Sequence, residues 1–301
     1  MSSQYGRRQE LVPHVLRLSQ VFANMNEDYL ILETGSESTN NLLQGGICTG
    51  EMTEVVGASN SGKTQFCLSL VSHIASASDY HIAYIDTCLG FSAERIQDII
   101  QSQTEDMSPQ SSQEAKIHEI HSMSKIQCFH AFNVLQLLDI LEYMREQLIS
   151  KLDNFWKRLR VVVIDSVGAL LAPILGGKSF RGHHFLFTVS RAIKSLATEF
   201  NLAIVTTNHT VQSFNTGKNT KPALGEQWTS CADTRLTLDK HEDISHSSNS
   251  SSSSSSSLPT FSSAPSQAQQ ATGILRLSKS SKSVNPFSCS IFFFSLSVGL
   301  V

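Results

Sequence analysis

Residues 57–64 read Gly-Ala-Ser-Asn-Ser-Gly-Lys-Thr, a complete G-x-x-x-x-G-K-[ST] pattern. Each position has a chemical task. Gly57 and Gly62 let the backbone close tightly, so that the N–H groups of Ala58, Ser59, Asn60 and Ser61 can point inward at phosphate oxygens. Lys63 can reach the β and γ phosphates of a nucleoside triphosphate, and the Thr64 hydroxyl can ligate the Mg²⁺ that travels with it. A glycine turn before an ordinary core helix is the alternative these eight residues leave open.

A phosphate loop works between a strand and a helix, because the helix N-terminus adds partial positive charge to the anion site. Met52–Val56 reads as the strand. Gln65–Ala77 reads as the helix, with Phe66, Leu68, Leu70, Val71, Ile74 and Ala75 as its apolar residues. A carboxylate at the end of a neighbouring strand must complete the cation site. Arg160-Val161-Val162-Val163-Ile164-Asp165-Ser166 supplies one: four apolar residues, then Asp165. The alternative role for Asp165 is capping a helix that begins at Ser166-Val167-Gly168.

Four more strand candidates follow the first, at His81–Asp86, Ile126–His130, Arg160–Asp165 and Leu202–Thr207. Helix candidates lie between them at Ser92–Gln101, Asn133–Ser150 and Gly182–Phe200. This alternation predicts an α/β fold, a mostly parallel sheet with helices on both faces. The core spans residues 31–240. Residues 1–30 hold one short helix, with Leu11, Val15, Leu18 and Phe22 at helical spacing. Gln101–Glu114 is polar and reads as a loop. Residues 241–272 carry an unbroken serine run, Ser250–Ser257; their composition cannot bury enough apolar area to offset chain entropy, so disorder is expected. Residues 273–283 read as the final core strand and 284–301 as an atypical apolar tail. Its stretch Ile291–Val301 is shorter than the ~20 residues of a membrane span, so no membrane partner is expected.

Bulk properties narrow the classes. A net charge of −3 over 301 residues gives no general attraction to nucleic acid, so any DNA contact needs a local basic patch. The 6 cysteines form no C-x-x-C pair and no zinc spacing, and read as free thiols of a reducing compartment. The N-terminus is polar and carries Arg7 and Arg8, which is not a secretory signal. Cytosol and nucleus remain open on these grounds.

A family resemblance rests on longer stretches. Leu42-Leu43-Gln44-Gly45-Gly46-Ile47-Cys48-Thr49-Gly50, then Thr53-Glu54 and Gly62-Lys63-Thr64-Gln65, resembles the entry into the ATPase core of RecA-type eukaryotic recombinases, the Rad-fifty-one family. Tyr84-Ile85-Asp86-Thr87, Val163-Ile164-Asp165-Ser166, Thr207-Asn208-His209, Lys221-Pro222-Ala223-Leu224-Gly225 and Thr234-Arg235-Leu236 follow in that family's order. Trp228 and Leu175-Gly176-Gly177 resemble its paralogue D branch more than the recombinase itself.

The resemblance implies a RecA-like P-loop NTPase core that binds ATP and Mg²⁺, with Lys63 and Asp165 in the catalytic machinery and Thr64 and Asp165 on the metal. It implies nucleotide contacts from Gly57 through Gln65, from Arg95 on the adenine face and from His209 near the γ-phosphate. A solvated helix arginine is the alternative for Arg95. Loops Gly176–His184 (Lys178, Arg181, His183, His184) and Thr210–Leu224 (Phe214, Asn215, Lys218, Asn219, Lys221) match the two DNA-facing loops, although ordinary solvated loops share that composition. The implied setting is nuclear homologous-recombination repair. The implied partners are single-stranded DNA and other recombinase paralogue subunits in a hetero-oligomer.

Departures qualify the activity. Cys88 stands where active recombinases carry the glutamate that polarises the attacking water, and a thiol is a poor substitute for that base. His209 replaces the usual Gln. The family's N-terminal helical domain is absent or reduced, and Phe22-Ala23-Asn24-Met25 fails the Phe-x-x-Ala polymerisation tether at its fourth place. Two readings follow: a slow DNA-stimulated ATPase, or a nucleotide-gated scaffold with negligible hydrolysis. Fast turnover would require another base, with Glu54 and His209 the first candidates.

Deleting His241–Gln270 and joining the ends by a short turn is expected to leave the melting temperature nearly unchanged, because loop-closure cost grows slowly with length. A loss of several degrees on thermal unfolding would show that the stretch packs on the core.

Overall fold

The computed structural model describes residues 29–105, 112–175, 181–212, 220–240, 271–279 and 291–296. The chain divides into Met1–Leu30 and Ile31–Val301, and the elements below all belong to the second unit. The short helix expected near Leu11–Phe22 and the serine-rich residues 241–270 lie outside the described residues.

A small antiparallel pair, β1 (Ile31–Leu32) and β2 (Ile47–Cys48), precedes the main sheet. The main sheet uses β3 (Met52–Gly57), β4 (His81–Asp86), β5 (Ile126–His130), β6 (Leu159–Asp165), β7 (Ala203–Gln212), β8 (Thr220–Pro222), β9 (Thr234–Lys240), β10 (Ala271–Lys279) and β11 (Ile291–Leu296). Its order is β11-β10-β9-β3-β7-β6-β4-β5, with β8 attached to β7. Pairings from β9 to β5 are parallel, while β10 and β11 add an antiparallel edge. Apolar runs make this possible: Val161, Val162, Val163 and Ile164 are all fully buried, as a strand covered on both faces requires.

The helices are α1 (Glu37–Leu42), α2 (Lys63–Ala77), α3 (Ala93–Glu105), α4 (Ser112–Ser124), α5 (Val134–Ser150), α6 (Asn154–Arg158), α7 (Val167–Leu175), α8 (Arg181–Phe200) and α9 (Gly225–Thr229). Helices α2, α3 and α4 pack as one group, and α5, α7 and α8 as another. Ala83, Ile85, Val162, Ile164 and Ile204 of the sheet share a core with Leu137, Leu141 and Met144 of α5 and with Val189 and Ile193 of α8. Local signals set the ends. The Asn133 side chain accepts from the Gln136 N–H at 2.9 Å to start α5, and Lys151, at φ 48°, stops it.

Three expectations about elements need correction. Gln101–Glu114 is not one loop: α3 runs to Glu105 and α4 starts at Ser112. Gln97 and Gln101 donate to Glu119 at 2.7 and 2.9 Å, so polar cross-links tie these two helices where apolar periodicity is weak. Ala271 and Thr272 belong to β10 rather than to the serine-rich insertion. Within the tail expected to be atypical, Ile291–Leu296 forms β11, paired from Ala271↔Leu296 to Arg276↔Ile291. Lys240 lies opposite Gly273, so the chain leaves β9 and returns in β10 at neighbouring points.

One charge pair sits inside the sheet. Glu54, wholly buried in β3, accepts from Arg235 Nε of β9 at 2.6 Å. Glu54→Ala is expected to destabilise the fold by about 3–5 kcal/mol, since it strands the guanidinium without its counter-charge. Denaturant unfolding measures it; a change below about 1 kcal/mol, the worth of an exposed pair, would mean water reaches Arg235.

Candidate functional site

The C-terminal ends of β3, β7, β6 and β4 lie side by side, and the chain leaving β3 crosses over β7 and β6 to reach β4. Such a switch in strand order opens a crevice at the strand ends. Residues 57–64 occupy it. A Cβ on Gly57 would stand 2.3 Å from Ser61 Oγ and 2.5 Å from the Leu238 carbonyl, so only glycine fits. Asn60 (φ 58°) and Gly62 (φ 93°) turn the chain back. Gly62 is the N-cap of α2 and offers no side chain to the first N–H groups, which stay available to an anion.

The residues fit a phosphate chain on a further observation. Ser61 Oγ is buried in the loop with no hydrogen-bond partner. Such an atom costs about 1–3 kcal/mol unless something polar meets it. Lys63 Nζ folds over the loop and donates to the carbonyls of Gly57 (2.9 Å) and Ala58 (2.7 Å). Burial lowers its pKa, opposed by the nearby Asp165 carboxylate. An anion in the loop would replace those carbonyls as its partner.

Asp165, at the end of β6, is 6% exposed. It accepts from the hydroxyls of Thr64 (2.7 Å), Tyr84 (3.0 Å) and Thr207. Burial holds the Tyr84 phenol far above its ordinary range, so it stays a donor. Capping is therefore not the main role of this carboxylate. The Thr64 hydroxyl and the Asp165 carboxylate are hard oxygen ligands of the kind Mg²⁺ takes alongside phosphate oxygens and water. Among the described residues no cluster of three or more His, Cys, Asp or Glu could hold a metal by itself.

The end of β4 shapes the opposite wall. Asp86 accepts from the N–H groups of Cys88 (2.9 Å), Gly90 (3.2 Å) and Phe91 (2.9 Å), so its carboxylate is consumed by the turn. Thr87 locks this turn to β6, donating to the Ser166 carbonyl at 2.9 Å and accepting from the Ser166 N–H at 2.7 Å. A Cβ on Gly90 would lie 3.4 Å from the Thr64 methyl, which sets the turn against the phosphate loop. Cys88 is exposed there. Of the two candidate replacement bases, Glu54 is excluded: it is wholly buried and fully engaged by Arg235, Asn208 and Trp228.

Arg95 reaches the site through Gln65, donating from Nε to Gln65 Oε1 at 3.2 Å, and its guanidinium lies 3.9 Å from Asp98. His209 lies in β7 directly across from Gly57 of the phosphate loop. The expected DNA-facing loops take a different form. His183 and His184 stand in the first turn of α8, where His183 Nδ1 is 3.1 Å from Gln227 Oε1. Thr210–Gln212 and Thr220–Pro222 pair as an antiparallel ribbon, Val211 opposite Lys221. Lys178 and residues 213–219, with Phe214, Asn215, Lys218 and Asn219, lie outside the described residues. Tyr84, Thr207, Asn208 and Trp228 carry no recognisable role in the sequence, though each sits in a quoted motif.

A model of the Rad51 family matches residues 25–256. The chain belongs to the Rad51 family. It is 35% identical to DNA repair protein RAD51 homolog 4 of Bos taurus over 221 residues, 73% of this chain and 65% of that protein. It is 31% identical to the Mus musculus protein of the same name over 224 residues, 74% of this chain and 65% of that one. Against DNA repair protein RAD51 homolog 2 of Homo sapiens it is 28% identical over 194 residues, 59% of this chain and 46% of the other. The chain thus matches slightly under two thirds of the length of the first two relatives. The RecA-like α/β core of the Rad51 family is the fold described above.

In this Rad51-family site His209 is an imidazole whose pKa the fold moves down. Burial lowers its pKa first, and the Lys63 ammonium lowers it further. Between that lowered value and the ordinary one near about 6.5, the unfolded chain binds more protons than the folded one. Stability therefore falls as pH drops through the window and levels off below it. His209→Gln is expected to flatten that part of the melting-temperature profile. Parallel profiles for wild type and variant would show that His209 is protonated equally in both states.

Proposed function

We propose that this chain is an ATP-, Mg²⁺- and DNA-binding paralogue that acts in homologous-recombination DNA repair in the nucleus, assisting a recombinase to load on single-stranded DNA. The observation that carries the reading is the joint position of Lys63, the unpartnered Ser61 hydroxyl and the Thr64–Asp165 pair at adjoining strand ends. The pathway is supported by family membership and by relatives whose names are DNA repair proteins. Gly57 through Gln65 would hold the phosphates, Arg95 the base, and Thr64 and Asp165 the metal. Bound there, Mg²⁺ neutralises phosphate charge. Lys221 on the exposed ribbon and His183 and His184 at the head of α8 supply the basic groups for a DNA backbone. Partners are other paralogue subunits in a hetero-oligomer. No helix among the described residues is long and apolar enough to cross a membrane.

Turnover is slow on this reading. Cys88 occupies the wall where a base is needed, Asp86 is spent on the turn and Glu54 on Arg235. The same facts favour a second reading, a nucleotide-gated scaffold with negligible hydrolysis. Lys63→Ala is expected to abolish tight ATP binding in an equilibrium titration; equal affinity would remove the nucleotide site. Single-turnover hydrolysis then separates the two readings. A positioned base contributes typically about 10²–10⁴-fold, so Cys88→Glu should raise a slow, DNA-stimulated wild-type rate. A wild-type rate no higher than that of Lys63→Ala, with ATP bound, would leave the scaffold.

A further inference from the structure

Glu54 lies in β3 three residues before Gly57, yet it faces away from the phosphate loop's chemistry. Its Oε1 accepts from Asn208 Nδ2 and from Trp228 Nε1, both at 2.9 Å, while Oε2 takes Arg235 Nε. These donors bracket the ribbon formed by β7 and β8. Asn208 precedes His209 at its entry, and Trp228 stands in α9 just after its exit. Arg235 also reaches the Thr229 carbonyl at 3.3 Å, tying the end of α9 to β9. One carboxylate thus joins the strand that ends in the phosphate loop to both ends of the ribbon.

Two features go beyond what packing requires. Asn208 Oδ1 is buried with no partner, so this amide keeps one unsatisfied oxygen in order to give its N–H to Glu54. Gly168 makes room for it: a Cβ there would stand 2.5 Å from Asn208 Oδ1 and 2.9 Å from His209 Nδ1. A buried polar cluster of this kind is often no more stable than well-packed apolar residues of the same volume.

We propose that Glu54 is a positioning residue: through Asn208 and Trp228 it sets His209 and the ribbon relative to the phosphate loop, so that nucleotide binding changes DNA affinity along this path. The proposal rests on the ATP- and DNA-binding reading above. Trp228→Phe removes the N–H and keeps a buried ring; Asn208→Ala removes the other donor and leaves the Glu54–Arg235 pair intact. Lys194→Ala is the comparison, because Lys194 pairs with Asp233, which accepts from the Met52 N–H at 2.8 Å at the start of the same strand.

The measurement is the affinity for a labelled oligodeoxythymidylate with and without ATP and Mg²⁺, together with ATP affinity and melting temperature, on the full chain. The expected result is a wild-type ratio of affinities that falls about 2- to 30-fold in Trp228→Phe and Asn208→Ala, the range of coupling changes such residues produce. ATP affinity stays at the wild-type level, and Lys194→Ala lowers the melting temperature while keeping the ratio. A wild-type ratio in both Glu54-partner variants, with only the melting temperature lowered, overturns the proposal and makes the cluster purely structural. Equal DNA affinity with and without ATP in wild type, with both ligands bound, overturns this proposal alone, whereas a wild-type chain that binds no ATP or no oligodeoxythymidylate overturns the ATP- and DNA-binding reading and this proposal with it.

Discussion

A carboxylate at the buried end of β6 has to keep a negative charge with almost no water around it, and the site is built around that requirement. Asp165 meets it with three hydroxyls, from Thr64 of α2, Tyr84 of β4 and Thr207 of β7. Each bond fixes the distance of one element from β6. The strand order β3-β7-β6-β4 makes this reachable, since β7 and β4 are the two neighbours of β6 and α2 starts beyond β7. Hydroxyls have a further consequence. They satisfy the anion's hydrogen bonds without cancelling its charge, so the carboxylate stays attractive to a divalent cation.

Glu54 shows the opposite solution two strands away. It is as buried as Asp165, but its charge is met by the Arg235 guanidinium and its remaining oxygen by an amide and an indole. Nothing is left for a substrate or a metal. Two carboxylates in one sheet thus differ by their donors: one keeps its charge uncancelled and the other is neutralised by a cation. Neutral hydroxyls leave the charge of the first uncancelled. A fixed cation closes the second.

The legible parts of this protein are those whose physics is local in sequence. The phosphate loop could be read at residue resolution because anion binding requires consecutive backbone amides, two glycines and a lysine in a fixed run. The bounds read for β4 match because its continuous apolar run, Ile82–Ile85, stops at Asp86, and β5 keeps the expected bounds, Ile126–His130, with Gln127 inside it. Helix α4 escaped, since Ile117 and Ile120 stay 67% and 69% exposed and its ties to α3 are amide–carboxylate bonds that periodicity does not register. The β7–β8 ribbon is not legible from sequence, where Thr210–Leu224 reads as a loop, because its pairing depends on β8, a strand of 3 residues. The Glu54 cluster was illegible for a stronger reason: its partners lie 154, 174 and 181 residues away in the chain, and only the sheet order brings them together. Asp165's phenol and threonine donors were hidden in the same way.

Binding and hydrolysis place separable demands on such a site. Holding a nucleotide needs the loop amides, Lys63, and the Thr64–Asp165 pair, all of which the crevice retains. Cleaving it at speed needs one more group, a base aimed at water. The turn 88–91 is held firmly beside the loop: Asp86 accepts from three of its N–H groups, and Gly90 lies against Thr64. The side chain this turn exposes beside the phosphate loop is a thiol, Cys88. Any link between the phosphate loop and the β7–β8 ribbon has to pass through the residues that touch both, and Asn208 and Trp228, which donate to Glu54 at opposite ends of that ribbon, are placed for it.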